Sequence, residues 1–574
     1  PLPDEMPVRM KASIERLTKA RSLHQMLADF AQLDAVAAPV AEAPAAAAPV
    51  VEARPTAAIQ TPRYVVKTCP APLGSATVEV SGLVVVLGGP AKVTAKVKTE
   101  LTRHGASAVF IDDTEPKAMA AAIAKARTAH GPVRALLHLQ GLLPETPATL
   151  KAWHALGDRV IGSLFHAAQI LDPELNHCRV IAATRMGGTF GRDAVGPGTP
   201  LAGGVCGITN CLRSEYPDSV MRCVDFDGQT EAEIGELIAA ELYADDHRPE
   251  AGYIGRTRYA SINEPQPLAE HAFAPHLEPQ AGQVLMVTGG ARGITAEILE
   301  ELAVPGLRLV LLGRSEPAQE SAETSHLLTT TDVRGWLLKA ALARGEKPKP
   351  VDIDRAVSAL MVNREIHANL AKLRARGALV DYIACDVRDE KAFSAVIENT
   401  YEKWGCIDGV IHGAGIIEDK LIRDKSPASF ERVMGTKLDP VYTLMRHLRP
   451  ESLRFLSFFT SVAGRFGNRG QSDYAAANEA LNRIAWSLSR LWSQTRILSI
   501  NWGPWDGGMA SEGIKRQLRE RGMEPIPVPA GRRFFVDELA YGTRHDVELV
   551  AGQGPWGISL ATVAPARDKN AGER

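Results

Sequence analysis

The sequence predicts an α/β protein made of two doubly wound parallel sheets, one after the other along the chain. Short apolar runs typical of buried strands alternate with helical stretches, and this alternation indicates parallel sheets. The two series also resemble each other. LVVVLGGPAKV, from residue 83, corresponds to VLMVTGGARGI, from residue 284, and ALLHLQG corresponds to VIHGAGI. We therefore interpret the chain as an internal repeat of two similar units.

Length and composition narrow the class of protein. The 574 residues suffice for at least two domains, and the chain is nearly neutral, with 65 basic and 67 acidic residues. No basic block indicates nucleic acid binding. Seven cysteines without ligand spacing predict neither a disulfide framework nor a metal site. No apolar run approaches the roughly 18 residues of a membrane span, so we expect a cytoplasmic protein without membrane contact.

The two ends of the chain are expected to be tails and linkers. Residues 1–34 have helical periodicity and fit either the remnant of an upstream domain or a small docking helix. Residues 35–63 are rich in alanine and proline, which is typical of a semi-extended tether. Residues 557–574 are polar and predict a second linker. Because the chain begins at Pro1, we expect it to be a piece of a longer protein.

The first unit, residues 64–270, is predicted to keep the fold without the chemistry. Pro90 interrupts its glycine loop and removes an N–H group that a pyrophosphate needs. Arg159 and Arg185 fall where the second unit has a lysine and a serine, and the helix near Ala202 begins without a tyrosine. We expect a degenerate, structural subdomain that binds no cofactor.

The second unit, residues 271–556, opens with a glycine motif in the context that gives such motifs meaning. An apolar strand is followed by TGGARGI and then by a helix, as in a Rossmann-like dinucleotide site. Glycines let the backbone approach the pyrophosphate, and the helix N-terminus supplies N–H groups. Thr295 replaces the third glycine of the usual motif. The predicted cofactor contacts of this loop are Thr288, Gly289, Gly290, Arg292, Gly293 and Ile294.

The ends of the following strands predict which dinucleotide is bound. Arg314 and Ser315 stand where an NAD enzyme has an acidic residue for the ribose hydroxyls, and Arg292 adds a second cation. Both features favour a 2′-phosphate, and therefore NADPH. Further contacts are expected at two later strand ends, from Asp386, Val387, Gly413, Ala414 and Gly415.

A serine, a tyrosine and an asparagine in TSVAGRFGNRGQSDYAAAN predict catalysis. Ser461 follows an apolar strand, and Tyr474 and Asn478 lie one helical turn apart at the start of the next helix. A phenol that donates a proton near neutral pH needs its pKa lowered from about 10, which a nearby cation can do. Lys437, on the preceding helix, is the candidate cation.

This stretch resembles the ketoreductase domains of type I polyketide and fatty-acid synthases, members of the short-chain dehydrogenase/reductase superfamily. Most members have Tyr-x-x-x-Lys on one helix, whereas this chain has Tyr474 followed by Asn478, with Lys437 on the preceding helix. This exchange, in which the lysine lies on the preceding helix and an asparagine takes its usual place, is typical of the multienzyme ketoreductases. The resemblance implies that Ser461 and Tyr474 bind and protonate the substrate oxygen, and that Asn478 holds a water or the lysine. Lys437 and Tyr474 are also expected to bind the cofactor, the lysine through the nicotinamide ribose.

The resemblance extends to three other segments. A charged helical insertion at about 316–378 is similar to that of polyunsaturated fatty-acid synthases and related iterative synthases. Asp419 and Phe466 imply the D (R) alcohol, by signatures drawn from modular synthases. Residues 509–523 are expected to form a mobile lid.

The sequence therefore predicts an NADPH-dependent 3-oxoacyl-thioester reductase. Its partners would be an acyl carrier protein that bears the phosphopantetheine thioester and the neighbouring synthase domains. Two alternatives stay open, namely a non-catalytic scaffold within a megasynthase and a free-standing reductase of a small ketone.

Overall fold

A computed structural model describes residues 61–268, 277–507 and 512–556. The predicted helical tail and the C-terminal linker lie outside these residues, as does nearly all of the predicted alanine and proline tether. The described residues form a mixed α/β structure dominated by parallel strands, which confirms the predicted fold class. No described helix is both long enough and apolar enough to span a bilayer.

The strands form one large sheet of fifteen strands and a small parallel pair. The order in the large sheet is β11-β10-β9-β12-β13-β14-β17-β1-β8-β7-β6-β5-β4-β2-β3. The strands are β1 (Arg63–Pro70), β2 (Leu83–Leu87), β3 (Ser107–Ile111), β4 (Val133–Gly141), β5 (Arg179–Thr184), β6 (Val220–Asp227), β7 (Glu250–Ile254), β8 (Thr257–Pro265), β9 (Val284–Thr288), β10 (Arg308–Gly313), β11 (Leu379–Ala384), β12 (Gly409–His412), β13 (Phe455–Ser461), β14 (Arg496–Trp502), β15 (Trp505–Asp506), β16 (Ile526–Pro527) and β17 (Glu548–Ala551).

Helices cover both faces of this sheet, as parallel strands require. They are α1 (Ala91–Arg103), α2 (Pro116–His130), α3 (Leu150–Gly157), α4 (Ser163–Leu171), α5 (Gly203–Glu215), α6 (Glu231–Tyr243), α7 (Gly293–Leu302), α8 (Ala322–Ser325), α9 (Thr330–Ala343), α10 (Pro350–Ala375), α11 (Glu390–Trp404), α12 (Pro427–His447), α13 (Val462–Phe466), α14 (Ser472–Leu491), α15 (Glu512–Glu520) and α16 (Val528–Tyr541). A π-helical turn, Asp158–Gly162, joins α3 to α4.

The two units share one sheet, which corrects the expectation of two separate sheets. Strand β1 pairs antiparallel with β8 of the first unit and with β17 of the second. In this register Val65 lies opposite both Glu264 and Leu549. The first described strand, β1, begins at Arg63. Pairing across almost the whole chain leaves no local pattern in the sequence, so the shared sheet was not predictable.

A buried charge network also connects the units. Its members are three arginines and three glutamates, each almost fully buried: Arg192, Arg465, Arg483, Glu250, Glu479 and Glu548. Glu250 of β7 binds Arg465 at 2.6 Å and Arg483 at 3.3 Å, both from the second unit. Burial alone raises the pKa of Glu250, but the adjacent guanidinium groups outweigh burial and hold it well below its usual value. Removing one member would leave a buried charge unpaired.

Candidate active site

Strand β13 brings Ser461 to the carboxyl edge of the sheet. The strand lies between β12 and β14, and its apolar residues are buried, so its position is fixed by packing on both faces. Ser461 is its last residue, and its Oγ accepts a hydrogen bond from the Ala463 N–H at 3.1 Å, at the start of α13. Open α/β sheets bind ligands at this edge.

Helix α14 holds Tyr474 in its first turn. The Tyr474 N–H donates to the carboxylate of Asp473 at 2.8 Å, and the same carboxylate accepts from the buried amine of Lys425 at 2.7 Å. Lys425 also donates to the carbonyl of Glu418, so the loop after β12 and the tyrosine helix are linked through one ion pair. Sequence reasoning missed this pair, because neither residue stands in a recognisable motif.

The structure brings Lys437 to the tyrosine, although the two residues lie on different helices. The Lys437 amine lies 5.6 Å from the centroid of the Tyr474 ring and donates to the Phe459 carbonyl at 2.9 Å. A Cβ at residue 415 would lie 3.0 Å from the Lys437 Cε, so the glycine at this position leaves room for the lysine side chain. Burial lowers the pKa of Lys437 to about 7.

Asn478 completes the group of four predicted residues. Its amide N–H donates to the Tyr474 carbonyl at 2.7 Å, and its Oδ1 is buried without a hydrogen-bond partner among the described residues. Burial raises the pKa of the Tyr474 phenol, and hydrogen bonds with the Asn478 and Ser461 side chains act in the opposite direction. The bond from the Lys437 amine goes to a strand carbonyl, so the asparagine does not hold the lysine directly.

The glycine loop has the geometry of a phosphate cradle. Gly289 and Gly293 have φ values of 68° and 57°, which favour glycine. A Cβ on Gly289 would come within 3.0 Å of the backbone N of Ala414, whereas a Cβ on Gly293 would meet nothing within 4 Å. The loop therefore packs tightly against the strand end at residue 414, whereas the space that a Cβ on Gly293 would occupy is empty. Gly290 and Gly413 are also in the predicted place, beside this loop.

An anionic group lies at the N-terminus of α7. The carboxylate of Glu365, from α10, accepts from the Gly293 N–H at 3.0 Å and from the Arg292 Nε at 2.9 Å. A carboxylate bound at this point shows that the helix start and the arginine accept an anion. The residues present thus fit the phosphates of a dinucleotide. Ile294 occupies the first turn of the same helix.

The strand ends predicted to hold the adenosine part lie side by side. Arg314 and Ser315 follow β10, and Tyr382 of the neighbouring β11 donates to the Ser315 carbonyl at 2.8 Å. Asp386 follows β11 and pairs with Arg388 at 2.6 Å, and the hydrogen bond from this arginine lowers the pKa of Asp386. Val387 is buried beside it.

His412 is a site residue that sequence reasoning missed. It is fully buried, its Nε2 donates to the Lys437 carbonyl at 2.9 Å, and its Nδ1 accepts from the Thr288 hydroxyl at 2.7 Å. Burial lowers the pKa of His412 to about 3, so the ring is neutral. It ties the glycine loop to the lysine helix. A histidine at the equivalent position of the repeat, His138, was the available signal.

In the first unit, side chains fill the space beside the glycine loop. Leu139 and Gln140 stand where the second unit has Gly413 and Ala414. A Cβ on Gly88 would lie 2.2 Å from the Gln140 amide, so that side chain already lies against the loop. Arg159 is paired with Glu145, and α1 begins directly after Pro90.

The first unit nevertheless contributes to the site. The Asn210 amide of α5 donates to the carbonyls of Gly464 and Arg465, at 3.2 and 3.1 Å, within the segment that joins Ser461 to Tyr474. The Glu215 carboxylate accepts from the N–H of Gly470 at 3.0 Å. Both contacts hold the segment between the serine and the tyrosine.

The described residues thus combine an α/β fold with a glycine loop and four polar side chains at the carboxyl edge of its sheet. Residues 283–507 match the family model of the KR domain.

Proteins similar in sequence to this chain include fatty acid and polyketide synthases. A polyunsaturated fatty acid synthase polypeptide of a Thraustochytrium species is 37% identical over 269 residues, which are 45% of this chain and 9% of that protein. The polyketide synthase PksN of Bacillus subtilis is 33% identical over 215 residues, covering 36% of this chain and 4% of that protein. The chain thus spans less than a tenth of the length of each of these relatives.

Solved structures share the fold. An N-terminal ketoreductase from the macrolactin assembly line superposes with a TM-score of 0.66 at 19% identity, covering 96% of this chain and 98% of that one. The first ketoreductase of the tylosin polyketide synthase gives a TM-score of 0.62 at 23% identity, covering 86% and 93%.

Proposed function

We propose that the protein reduces a 3-oxoacyl thioester, carried by an acyl carrier protein, to the 3-hydroxyacyl thioester with NADPH. The observation that carries the proposal is the convergence of Ser461, Tyr474, Lys437 and Asn478 at one edge of the sheet, beside the glycine loop. The similarity to fatty acid and polyketide synthases supports the carrier-bound substrate and the neighbouring synthase domains as partners.

The cofactor contacts are proposed from the cradle described above. The glycine loop and Arg292 would hold the phosphates, Arg314 and Ser315 the adenosine end, and Gly413 to Gly415 the nicotinamide ribose. Arg292 and Arg314 support a 2′-phosphate, and therefore NADPH, because both are cations and the residue directly after β10 is an arginine instead of an acid. When bound, the reduced nicotinamide supplies a hydride to the carbonyl carbon.

The side chains supply the proton and the orientation. The Ser461 hydroxyl and the Tyr474 phenol donate hydrogen bonds to the substrate oxygen, and the tyrosine transfers its proton to that oxygen as it becomes an alkoxide. The charge of Lys437 favours the resulting phenolate. With a pKa of about 7, a large share of the amine carries that charge at neutral pH.

The division of labour between the units is also proposed. Residues 64–270 would form a structural subdomain and residues 271–556 the catalytic one, with the helical insertion at about 316–378. The filled cradle beside Gly88 supports this division, because Leu139 and Gln140 leave no room there for a dinucleotide.

The test is reduction of a 3-oxoacyl carrier protein, with product identified by mass spectrometry and NADPH consumption followed by absorbance. Tyr474→Phe is expected to lower kcat/KM about 10²- to 10⁴-fold. Tyr442→Phe is the matched control, since that buried hydroxyl has no hydrogen-bond partner among the described residues. Equal turnover by the two variants would contradict the assignment. Absence of saturable NADPH binding would instead favour the scaffold alternative.

A further inference from the structure

The helical insertion places a carboxylate directly on the glycine loop. Glu365 lies in α10, the longest described helix, and contacts two groups at the start of α7, the Gly293 N–H and the Arg292 guanidinium. These are the groups that the site offers to the phosphates of a dinucleotide. The insertion therefore contacts the loop that is proposed to bind the cofactor.

Packing fixes the position of this carboxylate. Ile366, Leu370 and Leu373 recur at helical spacing on α10 and share a core cluster with Leu299 of α7. One turn beyond Glu365, the Asn369 amide donates to the Ala291 carbonyl at 3.0 Å. Two polar contacts and an apolar stripe thus hold α10 against the loop.

The carboxylate competes with a phosphate in both charge and geometry. A phosphate monoester carries about −1.5 to −2 charges at neutral pH, so a 2′-phosphate is repelled by the Glu365 carboxylate and needs the same arginine. A ribose hydroxyl is neutral and lacks this repulsion. Competition for the Gly293 N–H affects both dinucleotides alike, so the selective penalty, which arises at Arg292, falls on the dinucleotide with the 2′-phosphate.

We propose that Glu365 is a specificity-determining residue that lowers the affinity of the site for 2′-phosphorylated dinucleotide by competing for Arg292. This inference rests on the proposed function, since it assumes a nicotinamide dinucleotide at the loop. It assigns to the insertion a role in setting cofactor affinity.

The test compares Glu365→Gln with wild type by fluorescence titration with NADPH and with NADH. The matched control is Asp354→Asn, which removes a carboxylate from the same helix but breaks a pair with Arg334. Arg292 and Glu365 have side chains that are 48% and 39% exposed, so the effect should be modest. We expect Glu365→Gln to tighten NADPH about two- to fivefold at low salt, with NADH changed less. The difference should shrink at high ionic strength.

A double variant tests whether Glu365 affects NADPH binding through Arg292. In an Arg292→Ala background, Glu365→Gln should change NADPH binding much less than in wild type. Thermal unfolding without added nucleotide should show a small loss of stability in Glu365→Gln, because the loop contact is weakened.

The following results would overturn the inference. Equal effects of Glu365→Gln and Asp354→Asn on NADPH affinity would show that Glu365 does not discriminate between the two nucleotides. Equal tightening of NADPH and NADH binding in Glu365→Gln would show the same. Loss of NADH affinity in Glu365→Gln would show that the carboxylate binds ribose hydroxyls instead. If neither nucleotide binds the wild type saturably, both this inference and the proposed function fail. If the wild type binds nucleotide and Glu365→Gln leaves both affinities unchanged, only this inference fails.

Discussion

Replacing Lys437 by methionine is expected to stabilise the protein at low pH while removing its activity. The amine is almost fully buried, and burial lowers its pKa to about 7 from an ordinary value of 10.5. Keeping it charged in the folded protein therefore costs free energy. Methionine has a similar length and no charge, so it removes this cost along with the catalytic cation.

The magnitude follows from the two pKa values. A change from 10.5 to about 7 corresponds to about 5 kcal/mol, which is the full cost near pH 6, where the amine is charged in both states. Between pH 7 and 10.5 the unfolded chain binds more protons at this residue, so the wild type gains stability as pH rises. Near pH 9 the remaining cost is about 2 kcal/mol.

The measurement is the free energy of unfolding in denaturant for the wild type and Lys437→Met between about pH 6 and pH 9. The difference in free energy of unfolding in favour of Lys437→Met should decrease by about 3 kcal/mol from pH 6 to pH 9. Loss of the bond to the Phe459 carbonyl costs about 1–3 kcal/mol at every pH, so it shifts the whole curve without changing its slope.

Groups that titrate alike in both proteins cancel in this comparison. Lys391→Met is the matched control, because Lys391 is exposed and should give a flat difference. A difference between Lys437→Met and the wild type that stays constant over the same range would refute the reasoning, since it would mean that the buried amine titrates normally.

Three other outcomes are expected. Tyr474→Phe should lower kcat/KM about 10²- to 10⁴-fold without changing the nucleotide Kd, and Ser461→Ala about 10²-fold, as steady-state kinetics and titration would show. Glu250→Gln should destabilise the protein by about 3–5 kcal/mol in denaturant unfolding, whereas the exposed Glu264→Gln should cost less than about 0.5 kcal/mol. Calorimetric titration should saturate at one nucleotide per chain, and a second site would contradict the filled cradle of the first unit.

The strands and the positions of the candidate site residues were predictable because their signals are local. Runs such as LVVVL and VLMVT are apolar throughout, as strands buried on both faces must be, and both are strands in the structure. The positions of Ser461 and Tyr474 follow from their spacing along one strand and one helix. Lys437 required a further step, since its proximity depends on two helices packing at the same edge.

Contacts between distant parts of the chain were not predictable. Strand β1 joins the two units through pairings that span most of the sequence, and no periodicity records them. The Lys425–Asp473 pair and the Glu365 contact are single polar residues on ordinary helices, so in the sequence they look like solvated charges. Their meaning depends on burial or on the neighbour that the fold provides.

The first unit has a filled cofactor cradle, yet the site depends on it. Helix α5 approaches the tyrosine helix so closely that a Cβ on Gly207 would lie 2.3 Å from the Ala475 carbonyl. From the same helix, Asn210 and Glu215 hold the segment between serine and tyrosine. A displacement of α5 by the width of a methyl group would therefore move Tyr474. Because proton transfer requires the phenol within hydrogen-bond reach of the substrate oxygen, we expect activity to depend on packing in the unit that is proposed to be structural.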